Sequence, residues 1–156
     1  MKLKQLSIFL ENSPGRLYEA TQAFGEAGIN LRSLCISDAS SDFGVLRILV
    51  SDIQRARRVA MERQLPARVD DVVAAEIEDT PGSLARLLRP FKESRVNVEY
   101  MYALAGTSSG KAVMVFRFSD NDRAVDILRK HKVRILDAET FGILEGAGGS
   151  PGETAG

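Results

Sequence analysis

The chain has 156 residues, 21 Lys+Arg against 21 Asp+Glu, and a formal net charge of zero, with 44% hydrophobic and 27% charged residues. That balance is ordinary for a globular protein of one domain or two small ones, and it leaves no electrostatic footprint for a nucleic-acid backbone or an anionic membrane. The single cysteine, Cys35, excludes an intrachain disulfide framework; inside the apolar run LRSLCIS it reads as a buried structural thiol suited to a reducing cytoplasm.

The apolar stretch LSIFL after Lys2 and Lys4 is too short for a signal-peptide core. No segment approaches the roughly 18 apolar residues of a membrane span, so a cytoplasmic protein without a membrane partner is expected. Leu6, Ile8 and Leu10 alternate as a strand with one buried face. The junction ENSPGRL, Glu11 to Leu17, opens a helix, with Ser13 expected as its N-cap and Pro14 at its first position. Leu17, Ala20 and Phe24 share one helical face, and Gly28 ends the helix through a left-handed cap. INLRSLCI is a second strand. FGVLRILV is a third, apolar on both faces and therefore central. A helix capped by Asp52 turns Ile53, Ala56 and Ala60 inward, and the strand ARVDDV follows.

The pattern then repeats. At an interval of 67, Pro14 corresponds to Pro81, Gly15 to Gly82, Leu17 to Leu84, Phe24 to Phe91 and Asn30 to Asn97. After a one-residue slip, Ser51-Asp52 matches Ser119-Asp120 and Ala56 matches Ala124. Val73, Ala75 and Ile77 form the matching strand, and Thr80 is the expected cap. Leu84, Leu87 and Phe91 form the matching helix face, which Pro90 should kink near its end. Arg95 stands where the first copy has Gly28 and lacks its conformational ease. VNVEYMY, KAVMVFRF, a helix from Asp120 and VRILDA complete the second copy.

The predicted fold class is α+β, with order β-α-β-β-α-β twice and antiparallel sheet with helices on one face. The expected units are residues 1–70 and 71–144, each near the size at which a core is marginal alone. Residues 145–156, EGAGGSPGETAG, hold no apolar side chain larger than alanine and are expected to be disordered. Their glycines are not a phosphate loop, because no Gly-Lys-Ser/Thr follows.

The chemistry concentrates at the two Pro-Gly junctions. A helix start offers unpaired N–H groups and the positive end of a dipole. Gly15 and Gly82 remove the side chain beside it, so that an anion such as an amino-acid carboxylate can approach the backbone. Asn12 and Asn30 supply amides that donate and accept, which suits a zwitterion. The second copy offers Asp79 and Asn97, and an ionised Asp79 would repel a carboxylate and attract an ammonium group. The same residues also build an ordinary strand-to-helix turn, so local chemistry alone leaves a structural role open.

ENSPGRL…GIN and EDTPGSL…RVN, each inside a βαββαβ pattern, resemble the ACT domain, a regulatory module that commonly binds amino acids; the resemblance spans residues 1–144. It implies a tandem-ACT protein without a catalytic domain, an eight-stranded sheet joining the units, and effectors held between units near the first loop and second strand; separately, exposed edge strands lead to the expectation of a homodimer. The loop asparagine matches Asn12 and the strand asparagines match Asn30 and Asn97; Asp79 departs from the pattern. The resemblance implies one site pairing Asn12 with Asn97 and another pairing Asp79 with Asn30. Ser13, Pro14, Gly15, Arg16 and Leu17 would surround the first loop, and Thr80, Pro81, Gly82, Ser83 and Leu84 the second. Leu31 and Val98, with Leu10 and Ile77, would give an apolar wall that favours an aliphatic or aromatic amino acid, although core packing is their simpler role.

Other candidates are weaker. Tyr100 and Tyr102 share a strand face as a pocket wall, an interface or plain cross-strand packing. Arg55, Arg57, Arg58 and Arg63 read as a solvated helix face. His131 has no second His or Cys near it to make a metal site, so neither metal nor cofactor is expected. An acylphosphatase would need an Arg-bearing phosphate loop, and no Ser/His/Asp or Cys/His set is assembled, so no enzyme is expected. RNA readout on the sheet would need aromatics that VVAAEI lacks. The alternative is a regulatory subunit docked on a biosynthetic enzyme: LSIFLENSPGRL also resembles the start of the acetolactate synthase small subunit, whose C-terminal half does not repeat the Pro-Gly loop.

Overall fold

The computed structural model describes residues 1–104 and 110–144; the expected tail, 145–156, lies outside them. The chain runs β1 (Leu3–Glu11), α1 (Arg16–Glu26), β2 (Leu31–Asp38), β3 (Phe43–Val50), α2 (Ile53–Glu62), β4 (Ala67–Glu78), α3 (Ser83–Leu88), a 3-10 turn (Arg89–Phe91), β5 (Val98–Leu104), β6 (Lys111–Phe118), α4 (Asn121–Lys130) and β7 (Arg134–Leu136). This is βαββαβ twice. Among the described residues the sheet is antiparallel and has seven strands rather than eight, in the order β2-β3-β1-β4-β6-β5 with β7 also on β4. ARVDDV and VVAAEI are one strand of 12 residues. Residues 67–72 of β4 pair with β1 and 73–78 with β6, so one strand closes the first unit and opens the second. No Gly or Pro interrupts it, and it crosses the expected boundary at 70/71 without a break.

Alternation places Leu6, Ile8 and Leu10 under α1 and α2, against Phe24, Ile53 and Ala56. Val73 and Ala75 lie under α3 and α4 with Phe91, Phe116 and Phe118, whose rings stack at 4.9 and 5.1 Å. A third cluster uses the opposite faces: Leu3, Leu49, Val72 and Ala74 meet Tyr102, Val113, Val115, Leu136 and Ile143. The sheet therefore folds over on itself, and its two halves pack through the faces that carry no helix.

A polar group sits in that contact. Gln5 is fully buried; its amide donates to Tyr100 Oη at 2.7 Å and to Ser7 Oγ at 3.1 Å, and its oxygen accepts from Tyr102 at 2.8 Å. Ser7 donates to Asp70 at 2.8 Å, and Asp70 also takes Arg68 at 3.1 Å and Arg117 at 3.2 Å. Each buried polar atom of this chain of contacts is thus partnered. Tyr100 and Tyr102 join the two halves of one chain. Arg47 lies over the Tyr100 ring, 4.0 Å from its centroid.

Asp52 and Asp120 cap α2 and α4, accepting from Arg55 N at 3.1 Å and Arg123 N at 3.0 Å. Ser13 and Thr80 do not cap α1 and α3, contrary to the sequence reading. Arg16 N donates to Ser13 O at 3.4 Å and Ser83 N to Thr80 O at 3.2 Å. Gly15 (φ 89, ψ −15) and Gly82 (φ 83, ψ −3) occupy the cap positions with no side-chain bond. Each junction is a type II turn, with Pro at its second position and a residue of positive φ at its third, where only glycine fits without strain. Pro90 shortens α3 to six residues and tightens its end into the 3-10 turn. Gly28 ends α1 with φ 70, and Arg95 adopts φ 59 at the matching place despite its side chain. His131 ends α4, its Nδ1 bonded to Ile127 O at 2.9 Å. After β7 the chain returns to the first unit: Leu144 N donates to Ser51 O at 2.7 Å, and Arg32 Nε to Gly142 O at 3.3 Å. No described helix is long and apolar enough to cross a membrane.

Candidate ligand-binding site

β1 delivers the first loop to the end of the sheet, beside the β2–β3 hairpin. Asn12 N donates to Asp42 O at 2.7 Å and Asn12 Nδ2 to Ser41 O at 3.3 Å, fixing the side chain at the rim. Ser13 N donates to Glu11 O at 2.9 Å, and Glu19 N to Gly15 O at 2.9 Å. The amides of Leu17 and Tyr18 meet no acceptor among the described residues, because no side chain caps α1. Arg16 folds outward onto Glu11 at 3.2 Å and Glu19 at 3.0 Å, which holds its guanidinium above the usual range, chiefly through the Glu19 bond.

Beside this loop lies a cavity of about 320 Å³, lined by Leu10, Leu17, Ile36 and Gly44 with Glu11, Asn12, Ser13, Ser37 and Asp38. Gly44 pairs with both Leu10 and Asp38. A Cβ there would lie 3.3 Å from Ser37 O, so glycine keeps this wall open. A partly apolar pocket that includes Leu17 of the uncapped first turn, with polar groups at its rim, can seat a small zwitterion with an apolar tail.

The second loop repeats the backbone pattern: Asp79 N donates to Gly110 O at 2.9 Å, and α3 has no side-chain cap. Asp79, Thr80, Pro81 and Gly82 are exposed, whereas Ser83 is buried, its hydroxyl 2.8 Å from Thr80 Oγ1 and 2.9 Å from Arg86 Nη2. Ala112 stands opposite Ile77 where Gly44 stands opposite Leu10.

Asn30 and Asn97 immediately precede β2 and β5. The backbone of each exchanges two bonds with a serine, one to the serine hydroxyl and one from the serine amide: Asn30 N to Ser51 Oγ and Ser51 N to Asn30 O, Asn97 N to Ser119 Oγ and Ser119 N to Asn97 O, all at 2.9 Å. Leu31 and Val98 pack against the two helix-side cores, as does Leu84. Asn12 lies beside the far end of β2, so Asn12 and Asn30 are separated by the length of a strand, roughly 26 Å. A site using both kinds of asparagine must draw them from different units. Among the described residues no hydrogen bond joins Asn12 to Asn97 or Asp79 to Asn30, and every residue lining the first cavity belongs to the first unit.

Two features escaped the sequence reading. The walls from Ile36 to Asp38 come from the end of the second strand, not its start; the glycine inside FGVLRILV was the available signal. The buried polar centre at Gln5 and Asp70 was not legible because alternation with Leu6 and Ile8 assigns Gln5 and Ser7 to the outward face, which the second half of the sheet covers.

A family model described as an ACT domain pair matches residues 1–144. The chain belongs to the ACT domain pair family. It is therefore a regulatory module of the amino-acid-binding type, and the matched segment is not a catalytic domain. Among solved structures, protein BT0572 from Bacteroides thetaiotaomicron is 38% identical, with TM-score 0.85 over 92% of this chain and 98% of that one. The regulatory subunit of aspartate kinase from Thermus thermophilus, in its ligand-free form, is 14% identical with TM-score 0.58, covering 81% of this chain and 91% of that one. Its counterpart from Thermus flavus is 18% identical with TM-score 0.58, covering 83% and 90%. These two likenesses concern the ACT pair's fold alone. No curated protein matches the chain.

Proposed function

We propose that this ACT pair is a sensor for a free amino acid, without catalytic activity of its own, that regulates amino-acid metabolism. One observation carries the reading: Leu17, in the uncapped first turn after Gly15, lines a partly apolar cavity of about 320 Å³. The carboxylate would lie on the Leu17 and Tyr18 amides, the ammonium group against Asn12 and Asp38, and an aliphatic or aromatic side chain on Leu10, Leu17 and Ile36. Asn97 and Val98 would complete the site from a second unit, contributed by another copy in a homodimer. Asp79 with Asn30 and Leu31, beside Thr80, Pro81, Gly82, Ser83 and Leu84, would form the second, weaker site.

A thermal-melting screen over the twenty amino acids tests this. A true effector at about 100 times its dissociation constant adds roughly 2.7 kcal/mol of stability. No shift with any of them removes the proposal.

A second reading, docking on a biosynthetic enzyme such as acetolactate synthase, draws support from Phe9 and Phe43. They lie on neighbouring strands, 40% and 49% exposed, on the face without helices. It requires that an enzyme co-purify and change rate when the chain is added.

A further inference from the structure

Duplication pairs each position of the second unit with one in the first, and one matched pair of places has diverged in charge. At the open edge of β4, beyond the Glu76–Arg134 pairing where β7 begins, a cavity of about 420 Å³ lies between α3 and the α4–β7 turn. The matching place in the first unit, between Phe9–Glu11 and Arg63–Pro66, is charge-balanced. There Arg16 is held by Glu11 and Glu19, and Arg63 meets Glu26 at 2.9 Å.

In the second unit Ser83 replaces Arg16, Arg86 replaces Glu19, Lys132 replaces Gln64 and Arg134 replaces Pro66, while Glu76 replaces Phe9 and His131 replaces Arg63. Two guanidiniums are gone, one carboxylate is replaced by a cation, and two cations and one carboxylate are added, so the balance turns positive. The local carboxylates are already engaged, Glu78 with Lys111 and Glu76 with Arg134 at 3.3 Å. Arg86 holds the Ser83 hydroxyl at 2.9 Å, and neither Arg86 nor Lys132 has a carboxylate partner among the described residues. Leu87 and Val133 give the cavity an apolar floor.

We propose that this cavity binds a small organic dianion, its carbon skeleton on Leu87 and Val133 and its charged groups on Arg86 and Lys132. The planar fork of Arg86 suits either a carboxylate or a phosphate. A dicarboxylate and a phosphate monoester share this chemistry. The site takes no ammonium group, which separates it from the amino-acid site at the first loop.

His131 lines the cavity and is the one histidine of the chain, so its ring-proton resonance is a local reporter. Succinate and inorganic phosphate are titrated separately into the full chain at fixed pH and ionic strength, with sodium chloride as the baseline. The expected result is a saturating shift of the His131 resonance with at least one of the two, and the tighter one names the charged group. Arg86→Glu and Lys132→Gln restore first-unit residues at exposed positions. Each should weaken binding at least roughly tenfold with an unchanged melting profile. A shift that follows ionic strength alone, or saturation that survives in both variants, overturns the proposal.

Discussion

The Tyr102 hydroxyl on β5 donates to the Gln5 side-chain oxygen on β1 at 2.8 Å, joining strands that β4 and β6 separate in the sheet. This bond and its neighbour to Tyr100 lie where the two halves face one another. Gln5→Ala leaves the Tyr102 hydroxyl without its acceptor inside the third cluster and opens a small void. A loss of roughly 2–3 kcal/mol is expected, measured by urea denaturation. A change within about 0.5 kcal/mol of the native chain would show that the contact does not hold the halves together.

The same phenol makes stability depend on pH in the alkaline range. Burial raises the Tyr102 pKa above its ordinary value near 10. The unfolded chain releases this proton above about pH 10 while the folded chain keeps it. The contribution is therefore complete below that pH and is lost as the pH rises further. Melting curves between pH 9 and 11.5 should fall less steeply for Tyr102→Phe than for the native chain. Parallel curves would place Tyr102 in contact with solvent.

Two glycines of the first helix region should respond in opposite ways to the same substitution. Gly15→Ala forces a Cβ into φ 89 and should cost roughly 1–2 kcal/mol. Gly25 lies inside α1, exposed, with nothing within 4 Å of an added Cβ, so Gly25→Ala should gain about 0.5–1 kcal/mol. Denaturant midpoints at matched slopes measure both. Equal signs would mean that the turn at Pro14-Gly15 is not the one described.

Much of this architecture was legible in the sequence because it is local or periodic. The alternation of Leu6, Ile8 and Leu10 located β1, Asp52 and Asp120 marked their helices, and the interval of 67 exposed the duplication. Ser13 was misassigned as a cap because Ser-Pro-Gly fits both a capped helix and a type II turn, and only the positive φ of Gly15 separates them. The continuity of β4 was not legible because ARVDDV reads as the last strand of one copy and Val73 to Ile77 as the first of the next, with no turn residue between them. Asp70 is in fact held by Ser7 and Arg117, far from it in sequence, and by Arg68 two residues away. The cavity walls at Ile36–Asp38 were out of reach for the same reason: strand register, not local pattern, brings them to the first loop.

The bare amides beside Gly15 as the seat of an effector are tested most directly by calorimetric titration of the amino acid that raises the melting temperature most, into three single variants. Asn12→Ala and Asn97→Ala should each weaken binding at least roughly tenfold, whereas Asn30→Ala should keep most of the native affinity. Native affinity in Asn12→Ala, or equal losses in all three, would contradict a site at the first loop completed by the second strand of another unit.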